Sequence, residues 1–155
     1  MTETRRTDEM WRLIRAPAAA IYRALLDRDA RLTWLPPEGM TARIETFDVR
    51  VGGGYRMVLT YRDAGHAAGK SSPDSDVVEA RFTELLPDER VVEAVRFETD
   101  DPSLAKVMTM TWSLQPVGDG TNVRVTAVNV PERISERDHE AGMASSLANL
   151  ARFVE

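Results

Sequence analysis

The 155-residue chain has no cysteine. That absence excludes disulfides, thiolate metal sites and thiol nucleophiles, and it suits a reducing compartment. Histidine is almost as scarce, with only two in the chain, His66 and His139, so a histidine-rich metal centre is out of reach. His139 stands beside Asp138 and Glu140, but acids at a helix start are favoured by the dipole and explain the same residues without a metal. No metal or other cofactor is expected. Apolar runs fall well short of the roughly 18 residues of a membrane-spanning helix, and MTETRRTDEM lacks the apolar segment of a signal peptide. The expectation is a soluble cytoplasmic protein with no membrane span. A net charge of −5 with no basic cluster leaves no footprint for nucleic acid.

Familiar catalytic and nucleotide motifs are missing too. There is no G-x-S-x-G, and Ser145 and Ser146 sit between alanine and leucine in a helical run. The stretch Gly65 to Ser71 resembles a phosphate-binding loop but has one residue too few between its glycines, and Pro73 follows where a helix would have to open. Gly52 to Gly54 lacks the strand-turn-helix setting of a dinucleotide site and reads as a sheet turn or bulge.

What is present reads as one domain over 1–155, with 1–6 as a polar tail. Its organising element is the last stretch, 131–155. Pro131 stops the preceding strand, and Ser135 with Asp138 forms a capping-box variant. Met143, Leu147, Leu150 and Val154 then recur on one helical face, beside a slim row of alanines. Near the other end, residues 7–15 read as a strand, Ala16-Pro17 opens a helix with Pro17 at its first position, and a second short helix leads to Trp34-Leu35-Pro36-Pro37.

Between these ends the pattern has period two. Strands are expected over 41–49, 55–62, 77–86, 90–98, 107–115 and 121–130, with Gly118-Asp119-Gly120 closing a hairpin. Tyr55, Met57, Leu59 and Tyr61 share a face, as do Met108, Met110, Trp112 and Leu114, and as do Val123, Val125, Ala127 and Asn129. The fold class is α+β: a curved antiparallel sheet of about six or seven strands around a long C-terminal helix, with two short helices after the first strand.

The inward apolar set is rich in methionine and aromatics. It comprises Tyr55, Met57, Leu59, Tyr61, Phe82, Phe97, Met108, Met110, Trp112, Met143 and Leu147, with Trp34 nearby. Methionine adapts to irregular guests, and Trp or Tyr brings a polar handle to an apolar wall, so the set suits a cavity for a small hydrophobic molecule as well as a packed core. Trp34 is expected near the entrance, and Asn129 either anchors a guest or hydrogen-bonds a strand end. Glu93 shares the parity of Val91 and Val95. Facing inward it could serve as an acid or base, but the frequency of exposed glutamates favours a bulge or edge position that turns it to solvent.

Several of these features recur together in one family. Ala16-Pro17 with Tyr22, Trp34-Leu35-Pro36, Val51-Gly52-Gly53 before Tyr55, Leu85 through Pro87 to Arg90-Val91, Gly120-Thr121, and Gly142-Met143 with Leu147 and Leu150 stand in the order seen in the START-like, or SRPBCC, helix-grip superfamily. Within it the chain resembles the bacterial branch similar to activator-of-Hsp-ATPase homologue proteins. The resemblance implies a helix-grip fold and binding of a small hydrophobic or amphipathic molecule between sheet and helix. It also admits polyketide cyclase- or hydratase-like chemistry, for which Glu93 or a tyrosine is the candidate, and a homodimer, since relatives commonly pair. Chaperone-ATPase regulation is least favoured, because that name comes from larger proteins with an additional domain. Two positions depart from the pattern: Trp34-Leu35 replaces a paired aromatic, and Gly142-Met143 replaces Gly-Trp, which should enlarge or soften a cavity beside Met143.

Overall fold

Alternating apolar side chains through the middle of the chain build a seven-stranded antiparallel sheet. The computed structural model describes residues 6–37, 39–62 and 75–155. Strand β1 (Thr7–Ile14) is followed by helices α1 (Ala18–Leu25) and α2 (Arg28–Trp34). Then come β2 (Met40–Phe47), β3 (Gly54–Tyr61), β4 (Ser75–Leu86), β5 (Arg90–Phe97), β6 (Met108–Val117) and β7 (Gly120–Val128), and the chain closes with α3 (Glu136–Val154). The order across the sheet is β1-β7-β6-β5-β4-β3-β2. Each strand from β2 onward therefore pairs with its sequence neighbour, while β1 returns to β7 and α3 packs beside it. This is the expected α+β helix-grip architecture.

Local chemistry sets the helix starts. The Asp27 side chain accepts from the Ala30 N–H at 2.9 Å and opens α2, and Ser135 Oγ accepts from the Asp138 N–H at 3.1 Å and opens α3. Pro17 takes the cap position before α1, in extended conformation, one place earlier than the sequence suggested. Residues between Pro131 and Ser135 form a turn closed by Ile134 N–H to the Pro131 carbonyl at 3.0 Å, so α3 begins at Glu136.

Two register shifts, at Glu45 in β2 and Thr83 in β4, each give one strand an extra residue, which bends it. At Gly54 an added Cβ would lie 1.9 Å from the Ala80 carbonyl oxygen, so β3 and β4 can approach this closely only because the position is glycine. Gly52, with φ of +89°, makes the β2–β3 turn, as its neighbourhood implied. In β1 the even positions Asp8, Met10 and Ile14 point inward, and Trp11 and Leu13 face solvent.

Candidate functional site

A cavity of about 340 Å³ separates the concave face of β3–β6 from the first half of α3. Of the residues singled out in the sequence, Tyr55, Met57, Leu59, Tyr61, Phe97, Met108, Met110, Trp112 and Met143 line it. They meet there because inward parity in four adjacent strands stacks them in rows: Tyr55 lies opposite Ala80, which lies opposite Val95, which lies opposite Met108. Exposure falls along the cavity. Asp138 and half-buried His139, Pro37 and Leu59 border solvent, and Arg31, Tyr55, Glu93 and Trp112 form its buried depth.

Four expected residues stand elsewhere. Trp34 is not at an entrance: it is fully buried at the end of α2, its indole N–H donates to the Ala24 carbonyl at 2.9 Å, and it meets Trp112 edge-on at 5.3 Å. Phe82 is turned into the core against Phe47 and Tyr55, and Leu147 lies on the packed part of α3. Asn129 leaves the face of Val125 and Ala127 because its backbone adopts φ of +67°, and its side-chain amide donates to the Val107 carbonyl at 3.0 Å. It satisfies a strand end and stays outside the cavity wall.

The expectation that Glu93 faces solvent is overturned. A bulge does occur beside it, but on the partner strand: Phe82 remains opposite Glu93, and the extra residue is Thr83. Glu93 therefore keeps its inward parity and is 2% exposed. Its Oε1 accepts from Arg31 Nη2 at 2.6 Å and its Oε2 from the Tyr55 hydroxyl at 3.2 Å, while Arg31 Nη1 donates to the same hydroxyl at 2.8 Å. The triangle is closed, and the third Arg31 nitrogen, Nε, donates to the Leu25 carbonyl.

Arg31 is the residue that sequence reasoning missed. It is wholly buried, with its guanidinium 4.9–6.0 Å from the rings of Tyr55, Trp34, Phe82 and Phe47. A signal was available, since Arg31 lies three residues before Trp34 on the buried face of a short helix, and a cation there calls for an inward acid such as Glu93. Burial works against the charged guanidinium, but the charge of Glu93 and the Tyr55 hydroxyl hold its pKa above the ordinary value. Burial, reinforced by Glu93, pushes the Tyr55 hydroxyl far up, so it stays protonated and donates. Chemically the triangle is a buried ion pair bound to a neutral phenol, each member occupied by the others.

A second polar cluster lies near the start of α3. The side chain of Asp8 is fully buried, accepts from Arg6 Nε at 3.0 Å, and faces His139 Nδ1 at 2.7 Å. Arg6 also donates to the Ile134 carbonyl, tying β1 to the turn before α3. Burial alone would raise the Asp8 carboxyl, but the hydrogen bonds and charges of Arg6 and His139 carry it below its ordinary value. Among the described residues, no group of three or more His, Asp or Glu is placed to hold a metal ion, and no helix is long and apolar enough to cross a membrane. The loop from Gly65 to Ser71, with His66, lies outside the described residues.

Trp112 is 3% exposed, and among the described residues its deeply buried indole N–H meets no hydrogen-bond partner.

The description "Activator of Hsp90 ATPase homolog 1-like protein" matches residues 15–155. A protein from Chromobacterium violaceum with a crystal structure is 33% identical, with 96% of each chain covered and a TM-score of 0.84. The AHSA1-like protein from Aeromonas hydrophila is 16% identical, with 96% of this chain and 92% of that one covered and a TM-score of 0.72. A protein in the dynemicin biosynthetic locus is 17% identical at a TM-score of 0.67, over 95% of this chain and 46% of that one. The last two likenesses speak for the fold alone. No curated protein matches the chain.

Proposed function

The chain belongs to the Activator of Hsp90 ATPase homolog 1-like family, within the START-like helix-grip superfamily, and on that premise we propose that it binds a small apolar or amphipathic molecule between sheet and α3. The observation that carries the reading is the cavity of about 340 Å³, walled mostly by methionine, aromatic and aliphatic side chains. That volume lies at the lower end of the roughly 300–1,000 Å³ common for small-molecule sites. Affinity would come chiefly from burying apolar surface, at about 25 cal/mol per Å² before the costs of association. Met57, Met108, Met110 and Met143 give the wall side chains that can shift to fit a guest.

Native mass spectrometry of freshly purified protein, followed by titration with ethylnaphthalene as a neutral apolar probe, tests this. The expected result is a co-purifying small molecule or saturable uptake of the probe, lost when Met143→Trp fills the space. Uptake that is absent, or indifferent to Met143→Trp, would end the reading.

Cyclase- or hydratase-like chemistry is the second reading, and the inward Glu93 favours it, with the shared fold of the dynemicin-locus protein beside it. Glu93 would have to release Arg31 or Tyr55 to take a substrate proton. Under this reading Glu93→Gln abolishes turnover of an offered polyketide while binding survives, and undiminished turnover rules it out.

A further inference from the structure

We propose that His139, oriented by Asp8, is a proton-abstracting base at the cavity mouth, acting on uncharged apolar carbon acids whose product anion is delocalised within the molecule. This rests on the ligand-binding reading above and adds a reaction to the same site.

One imidazole is shared between a buried acid and the cavity. His139 lies on the same side of α3 as Gly142, Met143 and Ser146 and lines the cavity with them. Its Nδ1 is 2.7 Å from Asp8 Oδ2, and the Asp8 side chain is fully buried on β1. Arg6 grips both carboxylate oxygens, through Nε at 3.0 Å and Nη2 at 2.7 Å, and the Asp8 carboxyl, held below its ordinary value, stays ionised. A carboxylate can only accept. Nδ1 therefore carries the ring proton, and the lone pair of the neutral ring is left on Nε2.

Nε2 is open. Among the described residues, the deeply buried side-chain nitrogens and oxygens without a partner belong to Trp112 and Asn122. Nε2 of His139 has no hydrogen bond either, yet it is not one of these, so it keeps accessible surface on a side chain 16% exposed at the mouth. Glu93, the other inward base, is placed differently, with its oxygens accepting from Arg31 and Tyr55. A proton moved to Glu93 would break up a buried ion pair, whereas a proton moved to Nε2 makes an imidazolium that Asp8 stabilises.

The surrounding charges also suit that imidazolium. Asp8 faces the ring from β1 with Arg6 behind it, Asp138 and Glu140 flank it on α3 with Glu136 one turn earlier, and Asp76 and Glu93 line the cavity from β4 and β5, Glu93 with its charge met by Arg31. Imidazole is a base of modest strength, so the carbon it deprotonates must be an activated one. An apolar wall in turn favours a substrate that spreads the new charge over itself.

Nitrobenzisoxazole, a flat uncharged bicycle, probes this class. Nε2 takes the hydrogen from the ring carbon next to nitrogen, the C–H pair becomes the third bond of a nitrile, and the N–O bond breaks with its pair leaving on a coloured phenolate oxygen. The imidazolium then gives its proton to water. With the full chain, the expected result is saturable elimination that rises with pH through one ionisation and is inhibited competitively by ethylnaphthalene. His139→Gln should lower kcat about a hundredfold with KM little changed, the scale of a positioned base. Asp8→Asn should lower kcat and move the inflection of the rate profile to lower pH, because the anion that stabilises the imidazolium is gone. Loss of a merely structural tie would leave that inflection in place. In nitrogen-labelled wild-type protein the neutral His139 ring should carry its proton on Nδ1, a readout that stands if either variant folds poorly.

Elimination unchanged in His139→Gln, or a neutral ring protonated on Nε2, would overturn the proposal, and an inflection unmoved by Asp8→Asn would overturn the orienting role of Asp8. Ethylnaphthalene binding without any elimination would also overturn it, while leaving the ligand-binding reading in place. Failure of both ethylnaphthalene and nitrobenzisoxazole to bind defeats that reading itself, and this inference with it.

Discussion

In its second half α3 buries Leu147, Leu150 and Ala151, none more than 2% exposed and none on the cavity, whereas in its first half His139, Gly142 and Met143 line empty space. One helix lies over one sheet, yet it seals at one end and stands off at the other. The anchors account for the difference. Ser146 Oγ donates to the Leu35 carbonyl at 2.6 Å, Asn149 Nδ2 donates to the Pro36 carbonyl at 3.1 Å, and the Glu155 carboxylate accepts from the Arg15 N–H at 3.0 Å. Held along its middle and C-terminal end by these bonds, and at its start by the contact of His139 with Asp8 of β1, the helix does not need the side chains of its first half packed against β3–β6. The packed half carries fold stability, and the open half is free to carry a guest.

The largest test concerns the polar floor of the open end. Arg31→Ala leaves Glu93 buried without its cation and should cost about 3–5 kcal/mol in urea denaturation. Arg31→Met combined with Glu93→Leu should recover most of that loss, since two apolar side chains need no partner. A loss below about 1 kcal/mol for Arg31→Ala, the range of exposed pairs, would mean that water reaches the triangle and that the cavity has no dry floor.

Next comes a direct contrast along the helix. Leu150→Ala should cost about 2–5 kcal/mol, as for a closely packed core leucine. Met143→Ala should cost well under half as much, because its side chain already borders a void. Equal losses in the same denaturation series would erase the distinction between the halves.

How much of this was legible in the sequence differs between the two halves in the same way. Leu147 and Leu150, the alternating strands β3, β5, β6 and β7, and the order of elements follow from periodicity, because a packed face repeats at the period of its own backbone. The cavity wall was legible as a set of inward residues, but whether those residues touched one another or left a gap was not, since pockets and cores share a composition. Glu93 was misread because a bulge belongs to one strand of a pair, and sequence does not say which; it fell on Thr83 of β4. Asn129 was carried along by parity until a positive φ broke it. Trp34 was placed at the entrance because two prolines follow it, but its bond to the Ala24 carbonyl turns it inward.

The second polar cluster gives a pH-dependent test. Asp8 is held below its ordinary value of 3.8. Its contribution to stability is therefore fully present above that value and is lost as pH falls through the lower, folded-state value. Asp8→Asn should cost about 1.5–3 kcal/mol at neutral pH, the range for hydrogen bonds to charged groups. The gap from the wild type should stay level down to about pH 4 and shrink below it. A gap that does not close in acid would mean that Asp8 acts there by shape alone and that the start of α3 is not tied to β1 through charge.

The smallest expected effect gives the sharpest reading of the open half. Gly142 lies inside α3, where glycine costs about 0.5–1 kcal/mol relative to alanine through backbone entropy. A Cβ added there meets nothing within 4 Å, so Gly142→Ala should recover that amount with no clash to offset it, raising the urea midpoint. The new methyl would also project from a residue that lines the cavity, and ethylnaphthalene binding should weaken slightly in the same variant. Stability and binding moving in opposite directions is what unfilled space reserved for a guest requires. If Gly142→Ala destabilises the protein instead, the first half of α3 packs as tightly as the second, and the void beside Met143 is not available to any ligand.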